Sequence, residues 1–472
     1  MISPRTLAAA AALAVTTPFA SPLAAQVTND PFSAPIGDGW APLVVPYTEL
    51  ARVQGVGGEP PLMTNVTVEP STRRIFVNDM NGPITSISYD GRTVTRYIDT
   101  NDARWGYAIQ TQGQERGLQS FAFHPQFAQE GTPGYGRFYT WVDIVDTAPT
   151  PDFRPGPDGR DSHDTVLLEW TARNPAAATY DGGPPRELMR LEQPYPNHNA
   201  GQLAFNPTAE PGSPDYGMLY MGVADGGSGG DPMDMSQNMG SAFGKIFRVD
   251  PLGSNSANGE YGIPADNPFV GRAGALGEIY AYGARNPQKF AWDPENGNFF
   301  MTDIGQNTVE ELTLVPRGAN LGWNDWEGSF RYVGREGVDL GNQRGDPAVT
   351  YPVAEYAQPD PLLLGQSAAV GLAVYRANRV PAISDMVIWG DNPSGEVFAV
   401  PADNLPNGGQ AAIRRVLFQD EGQARTLLQL LQKHVPGADQ PDVRLGSGPN
   451  GEVILLNKQD GIVRMIVPPG GR

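Results

Sequence analysis

Short alternating strands and polar turns recur along most of this chain. In each repeat, apolar and polar residues alternate over a few positions, a polar turn that contains Pro follows, and a second alternating segment comes next. Alternation of this kind predicts half-buried β-strands joined as hairpins. The six repeats begin near Asn65, Leu118, Gln202, Lys289, Val370 and Leu445.

These repeats predict an all-β fold. Their spacing varies by tens of residues, so strict tandem repetition is absent, but the number of sheet-forming units suits a propeller of about 4 to 8 blades. We therefore expect a six-bladed β-propeller. The main helical signal is Gly422 to His434, whose apolar spacing suits a short amphipathic helix between the last two repeats. No linker divides the chain, so residues 26–472 are predicted to form one domain.

Composition narrows the class of protein further. The chain has 57 Gly and 45 Pro with only 18% charged residues, which is typical of a turn-rich globular protein. With no Cys it has no disulfides, no Cys-ligated zinc and no thiol nucleophile. A net charge of -19 disfavours nucleic acid and anionic membranes as partners, because both require clustered Lys and Arg. A metal ion or a neutral small molecule fits this charge better.

The first 25 residues are predicted to be a secretory signal peptide. Arg5 is their one charged residue, an apolar run follows it, and small residues at Ala24 and Ala25 suit a cleavage site. A membrane anchor is the alternative, but the apolar run is short for a bilayer. We expect a periplasmic or secreted protein with no membrane insertion.

Among the four histidines, His198 is the candidate general base. It lies in YPNHNAGQLAF, between a Pro-bounded loop and the start of a strand, where a residue at the mouth of a propeller channel would lie. Neutral imidazole is the commonest general base near neutral pH. The alternative is a loop histidine that only satisfies local hydrogen bonds.

The segment from Ala281 to Trp326 has the densest chemistry in the chain. It brings Arg285-Asn286, Gly305-Gln306 and the carboxylates Glu310 and Glu311 into consecutive strands and turns. Such density indicates a site.

The motifs around this segment resemble those of a known enzyme family. NHNAGQLAF, GKIFRVD, EIYAYGARNPQKFAWDP and DIGQNTVEELTL are similar to the soluble pyrroloquinoline quinone (PQQ) dependent glucose and aldose sugar dehydrogenases, the glucose/sorbosone dehydrogenase family. The resemblance extends from about Asn65 to the C-terminus and is strongest between His198 and Trp323. It implies a sugar substrate, with PQQ and calcium as cofactors.

The resemblance also implies roles for individual residues. His198 matches the base that takes the proton of the sugar C1 hydroxyl while hydride passes to the quinone. Arg285, Asn286 and Tyr332 match positions that contact PQQ. Glu115 matches another cofactor position, where the family often has Gln.

Calcium is implied at two places. The backbone carbonyls of Gly305 and Gln306 fall where the family supports the calcium that polarises the quinone, a Lewis-acid role. Glu311 and the carbonyl of Leu321 fall on a second, structural calcium site, and hard oxygen ligands are what calcium requires. The alternative for Glu311 is a solvated carboxylate on an edge strand.

The chain departs from the family at the cations that neutralise the three PQQ carboxylates. The family's Lys falls on Asn392, and its Arg-x-Arg pair falls on residues 439–441, where the chain reads Asp-Gln-Pro. The candidates to replace these cations are Arg376, Arg379 and Arg444, of which Arg376 is the one we select.

Three functions are compatible with these features. The first is a PQQ- and calcium-dependent dehydrogenase that oxidises an aldose-type sugar, with an electron acceptor that the sequence does not identify. The second is a quinone-free carbohydrate-binding or interaction propeller of the same fold. The third is a calcium-dependent sugar lactonase, since fold alone does not choose among functions.

Overall fold

The computed structural model describes residues 26–69, 71–113, 115–156 and 163–468. The regular structure in these ranges is almost entirely β-strand, which confirms the all-β prediction. The predicted signal peptide, residues 1–25, lies outside the described residues.

The strands are short and follow one another closely along the chain. Those before residue 200 are β1 (Val27–Thr28), β2 (Leu43–Arg52), β3 (Val66–Val68), β4 (Ile75–Asn78), β5 (Pro83–Ile87), β6 (Val94–Asp99), β7 (Leu118–Phe123), β8 (Arg137–Ile144), β9 (His163–Thr171) and β10 (Arg186–Gln193). Next come β11 (Ala200–Phe205), β12 (Leu219–Val223), β13 (Lys245–Val249), β14 (Ile279–Tyr282), β15 (Lys289–Trp292), β16 (Phe299–Asp303), β17 (Val309–Leu314), β18 (Trp326–Glu327), β19 (Phe330–Tyr332), β20 (Val338–Gln343) and β21 (Ala354–Ala357). The last are β22 (Ala369–Tyr375), β23 (Met386–Asp391), β24 (Val397–Pro401), β25 (Arg414–Asp420), β26 (Gln423–Arg425), β27 (Arg444–Ser447), β28 (Val453–Leu456) and β29 (Ile462–Ile466).

Most strands pair with their neighbours in sequence to form antiparallel meanders. Four sheets have the orders β3-β4-β5-β6, β7-β8-β9-β10, β11-β12-β13-β14 and β15-β16-β17-β21. A larger sheet contains β22-β23-β24-β25 and then β2-β29-β28-β27. The strands β3, β7, β11, β15, β22 and β27 contact one another in this order, and β27 contacts β3. The sheets therefore form a closed ring with these strands innermost.

The N-terminal strand closes the ring. β2 pairs antiparallel with β29, where Thr48 faces Met465, and parallel with β25, where Val45 faces Phe418. It thus completes the last meander and joins it to the preceding one. Pairing both edges of β2 removes two exposed strand edges, which are templates for aggregation.

An additional sheet is inserted between β17 and β21. Its strand order is β18-β19-β20-β1, so the first described residues pair with the insertion. Phe32 packs edge-to-face on Phe330, with ring centroids 5.8 Å apart. The insertion brings Trp323 and Tyr332 beside the site described below.

The core lies between neighbouring sheets. Trp141 of β8 belongs to a cluster with Met221 and Phe247 of the next sheet, and Trp389 of β23 belongs to one with Tyr356 of the preceding sheet. Full burial of a large apolar side chain stabilises a fold by about 1.5 to 3 kcal/mol. Central strands are therefore buried on both faces.

The helices are few and short. In the described ranges the α-helix is Leu427–Gln432, and three 3-10 helices span Ala103–Trp105, Pro361–Leu363 and Pro381–Ile383. The predicted helix from Gly422 is in the right place but too long, because β26 pairs with β25 and Thr426 forms a capping box with Gln429. None of the helices described is long and apolar enough to cross a membrane.

Candidate active site

A cavity of about 370 Å³ opens at one end of the inner strands. Most of its lining comes from segments that precede the first strand of a sheet or follow the second, and the rest includes the first residues of inner strands. Because these two strands are antiparallel, both segments lie at the same end of the sheet. The lining residues are Glu115, Gln119, His198, Arg285, Asn286, Gln288, Ile304, Gly305, Gln306, Gln358, Gln366, Ser367, Ala368, Val370, Asn392, Asp442, Arg444 and Lys458.

An Asp or Asn occurs at this end of the second strand in every sheet of the ring. The set is Asn78, Asp143, Asp225, Asp303, Asp391 and Asn457. In four sheets its oxygen accepts backbone N–H groups from the loop before the first strand, as at Thr64, Gly117, Arg285 and Ala368. This bond fixes the loops that line the cavity.

At Asp225 the partner from the loop before the first strand is an imidazole, that of His198. Its Oδ1 lies 2.7 Å from His198 Nδ1, and its Oδ2 accepts the indole N–H of Trp323 at 2.9 Å. His198 is buried, and its φ of 56° lies in the left-handed region, which is uncommon outside glycine. A carboxylate on Nδ1 leaves Nε2 as the nitrogen available to accept a proton.

The electrostatics of this pair keep the carboxylate ionised. Burial raises the pKa of Asp225, but the charge and hydrogen bond of His198, followed by Arg285, more than offset it and lower the pKa below its usual value. An ionised Asp225 can hold the imidazole in one orientation and stabilise an imidazolium, as in a catalytic triad. No motif in the sequence predicted a role for Asp225, although it lies just beyond the second strand, β12.

Arg285 and Asn286 form a rigid wall of the cavity. Their backbone N–H groups donate to Asp303 at 2.8 and 2.6 Å. The Arg285 guanidinium donates to the carbonyl of Ile304 at 2.8 Å and contacts Gln306 Oε1. Burial raises the pKa of Asp303 to about 6, against the effect of these two N–H groups.

The Gly305-Gln306 turn also lies in the cavity lining, and its conformation requires glycine. A Cβ at position 305 would collide with the carbonyl oxygen of Val309. The Gly305 carbonyl accepts Gln358 Nε2 at 3.2 Å, and Gln306 Oε1 accepts the N–H of Gly230 at 2.7 Å. These bonds fix the turn at the cavity.

Glu311 lies just outside the cavity, between two other carboxylates. It faces Asp303 on β16 and Glu355 on β21 across the ladder, and its Oε1 accepts the N–H of Gly328 at 2.6 Å. Burial and then the charge of Asp303 raise the pKa of Glu311 well above its usual value. In the part of the chain that the structure describes, no three His, Asp or Glu side chains converge as a metal-binding group.

Three further predicted site residues lie away from the lining, as Glu311 does. Tyr332 packs on Trp323, with ring centroids 4.9 Å apart, beside the cavity rather than in it. The N–H of Leu321 donates to Tyr282, and its side chain packs in the core between sheets. Arg376 follows β22 at the end of the strand that faces away from the cavity, where it binds Asp293.

Two other cations line the cavity: Arg444, one of the three candidates named from the sequence, and Lys458, which was not among them. Arg444 begins β27 and Lys458 follows β28, so both lie at the cavity end of the last sheet. Glu115 is near them and accepts the N–H of His198 at 2.9 Å. A signal for Lys458 existed, because it follows a second strand as Gly305 and Asn392 do.

This chain belongs to the glucose/sorbosone dehydrogenase family, because that family's model matches residues 63–425. The HIPL1 protein of Arabidopsis thaliana is 31% identical over 336 residues, which are 64% of this chain and 46% of that protein. Aldose sugar dehydrogenase YliI of Escherichia coli (strain K12) is 26% identical over 227 residues, 48% of this chain and 53% of that enzyme. The chain spans about half the length of the curated relatives it matches.

The fold is shared with solved structures of the same kind. The PQQ-bound aldose sugar dehydrogenase of Streptomyces coelicolor has a TM-score of 0.56 at 20% identity, covering 90% of this chain and 100% of that one. At this identity the likeness shows the fold, which is of the propeller type.

Proposed function

We propose that this protein is an exported sugar dehydrogenase that depends on PQQ and calcium and oxidises an aldose-type sugar at C1. The observation that carries the proposal is the His198–Asp225 pair, which opens on the same cavity as Arg285 and Asn286. A positioned base beside a wall of cationic and amide donors suits removal of a hydroxyl proton next to an anionic cofactor. Family membership supports the same reaction class.

The proposal extends to the architecture and the location of the protein. We propose that the ring of sheets is a six-bladed propeller formed by one domain, residues 26–472, in which β2 completes the last blade. Residues 1–25 would be a cleaved secretory signal, so that the mature protein works in the periplasm or outside the cell.

The residues present fit PQQ, which is anionic. The cavity lining contains three cationic side chains, Arg285, Arg444 and Lys458. It also contains two acidic ones, Glu115 and Asp442, which offset part of the positive charge. Arg444 Nε is buried with no hydrogen-bond partner among the described residues, as a donor reserved for a ligand would be. Bound there, PQQ would supply a two-electron acceptor for the hydride from the sugar C1.

The chain itself supplies the proton chemistry. His198 Nε2 would accept the proton of the C1 hydroxyl, while Asp225 holds Nδ1–H and stabilises the positive ring. Loss of this proton and of a hydride converts the hydroxyl carbon to a carbonyl, so a cyclic aldose gives a lactone. Arg285 and Asn286, fixed by Asp303, would orient the cofactor.

Calcium is proposed at the two places that the resemblance implies. Gly305 and Gln306 line the cavity, where an ion held by their backbone carbonyls would polarise the cofactor. Glu311 lies opposite the carboxylates of Asp303 and Glu355, and a bound cation would offset the repulsion among these three groups. The carbonyl of Leu321 would be a further ligand of that ion.

Calcium binding has a direct stability test. A ligand that binds only the folded state stabilises it by mass action, so calcium should raise the melting temperature and a chelator should reverse the rise. Glu311→Gln should lose much of the gain, while the exposed Glu130→Gln should keep it. Identical melting curves with calcium and with chelator would count against the ion.

A quinone-free interaction propeller is the second candidate. Two observations favour it. The matched relatives include the Hedgehog-interacting protein of Homo sapiens, which is 25% identical over 255 residues. The positions where the family has cations are occupied in this chain by Asn392 and by Asp-Gln-Pro at residues 439–441, none of which is positively charged. This candidate predicts no redox activity with any sugar.

Dye reduction with a panel of aldoses separates the two candidates. The protein is loaded with PQQ and calcium, and His198→Ala is compared with His434→Ala as a matched control. His434 follows the α-helix, away from the cavity, and contacts Glu49. His198→Ala should lower turnover by about 10² to 10⁴ and leave PQQ affinity nearly intact. His434→Ala should match the wild type. Equal turnover in both variants would refute the role of His198 as the base. Wild-type protein that binds PQQ but oxidises no sugar would favour the interaction propeller.

A further inference from the structure

Arg444 and Lys458 are a pair of cations to which no carboxylate is hydrogen-bonded in the described part of the chain, although Asp442 and Glu115 lie near them. They lie at the same end of the last sheet, where Arg444 faces Leu456 across the β27–β28 ladder two residues before Lys458. Arg444 is 6% exposed, and Lys458 Nζ has its nearest carboxylate, Asp442, at 3.9 Å. Both side chains line the cavity.

The hydrogen bonds of Arg444 do not use all of its N–H donors. Its Nη1 donates to the carbonyl of Val443 at 2.9 Å, and its Nε finds no partner in the described part of the chain. Buried Arg248 differs, since it donates to Asp215 and to Asp266. A guanidinium offers a planar fork that matches a carboxylate, so an unfilled fork at a cavity is a recognition element.

A third cation lies close by. Lys289 is buried and donates to Asn65 Oδ1 at 3.1 Å. Burial first, and then the charges of Arg444 and Lys458, lower its pKa well below the usual value. Glu115 offsets part of this charge, but its Oε2 is engaged by the N–H of His198. Like charges buried together are costly unless an anion joins them.

We propose that Arg444 and Lys458 form a carboxylate-binding subsite of the cavity, which holds the quinone in place of the cations that the chain lacks at Asn392 and residues 439–441. Asn392 lines the same cavity, so the subsite is in reach of a ligand there. This inference rests on the proposed function for the identity of the ligand. A carboxylate on the sugar, as in a uronic acid, is the other source of the same chemistry.

The test compares binding of charged and uncharged ligands to four proteins in the presence of calcium. These are the wild type, Arg444→Gln, Lys458→Gln and Arg92→Gln, the last a matched loss of charge at a side chain that is 87% exposed. PQQ and its trimethyl ester are titrated by fluorescence quenching, and glucuronate and glucose by calorimetry. Arg444→Lys and Lys458→Arg test whether charge alone suffices.

We expect each Gln variant to weaken PQQ binding by about 10- to 100-fold, the range for a lost charged hydrogen bond. Arg92→Gln should bind PQQ as the wild type does, the charge-conserving variants should recover part of the affinity, and the ester should bind all proteins alike. Unchanged PQQ affinity in both Gln variants, with PQQ bound by the wild type, would overturn the subsite and leave the proposed function intact.

The remaining outcomes separate the two proposals. A wild type that ignores PQQ but binds glucuronate more tightly than glucose, and loses that preference in Lys458→Gln, would keep the subsite and refute the quinone as its ligand. A wild type that binds none of the carboxylates would overturn both. The Gln variants remove buried charge, so we expect them to fold, and their melting curves check this.

Discussion

Arg376 and Arg444 are equally buried arginines with opposite surroundings. Arg376, 8% exposed, donates to Asp293, Asp385 and Asp403 at 2.6 to 3.1 Å, whereas Arg444, 6% exposed, has one backbone carbonyl and an unpaired Nε in the described structure. The pKa of Arg376 is raised by these bonds, chiefly to Asp403, and burial lowers that of Arg444.

The difference follows from the two ends of the ring. β22 runs from the cavity at Val370 to Arg376, roughly 20 Å at about 3.3 Å per residue. At the far end Asp293, which follows β15, joins neighbouring sheets through Arg376. At the cavity end Arg444 faces open space. A buried cation that is hydrogen-bonded to carboxylates maintains the fold, and one that is bonded to none of them is available to a ligand.

Removing Arg376 should have the largest effect on stability. Arg376→Gln leaves Asp293, which is fully buried, without its ion pair, and breaking a buried pair costs about 3 to 5 kcal/mol. Denaturant melts should show this loss, while PQQ affinity of the folded fraction stays as in the wild type. A stable variant that has lost PQQ would mean that Arg376, not Arg444, holds the cofactor.

Removing Lys458 should have a smaller effect of opposite sign. Burial, with Arg444 beside it, lowers the pKa of Lys458 from 10.5 to about 8, so at pH 7 the folded state bears a penalty that the unfolded chain does not. Lys458→Gln should therefore raise the free energy of unfolding by on the order of 2 kcal/mol in ligand-free protein. A less stable variant would show that the charge is compensated.

The same group should make PQQ affinity depend on pH. Lys458 faces Arg444, Lys289, Asp442 and Glu115, and it loses its charge as pH rises through about 8, while the ligand carboxylates stay ionised. Binding should weaken several-fold between pH 7 and pH 9.5. The dependence should be much flatter in Lys458→Gln, and parallel curves for the two proteins would exclude this residue as the cause.

Stability should follow pH in the opposite direction. Between the folded pKa of about 8 and the usual 10.5, the unfolded chain binds a proton at Lys458 that the folded protein does not, so the ligand-free protein gains stability as pH rises across this window. Below it the penalty is constant. Wild-type melts at pH 7.5 and pH 9.5, with Lys458→Gln as control, measure the gain.

Much of the fold could be predicted from hydrophobic alternation. The repeats near Asn65, Leu118, Gln202, Lys289, Val370 and Leu445 coincide with the inner strands β3, β7, β11, β15, β22 and β27. Strands such as β5 were missed because all of Pro83–Ile87 is buried and its two polar residues, Thr85 and Ser86, are adjacent, so the segment does not alternate. β2 was missed because its partners are at the other end of the chain.

The site could be predicted where chemistry is local in sequence. His198, Arg285, Asn286, Gly305 and Gln306 come together at one cavity, as their motifs indicate. The partners of each charge could not be predicted, since Arg376 binds Asp293 of the neighbouring sheet and Arg444, among the described residues, donates to a backbone carbonyl and to no carboxylate. Asp225 gained its role only from the fold, which puts it on the ring of His198.

Uptake of PQQ by the wild-type protein tests the central claim most directly. The purified protein, supplied with calcium, is titrated with PQQ, and two quantities are measured: tryptophan fluorescence, and the cofactor that stays bound after gel filtration. Trp323 is the expected reporter, because its N–H binds Asp225 and its ring lies beside Arg285. The account predicts saturable binding of one PQQ per chain at micromolar or lower concentration. No bound PQQ at that concentration, with calcium present, would contradict it.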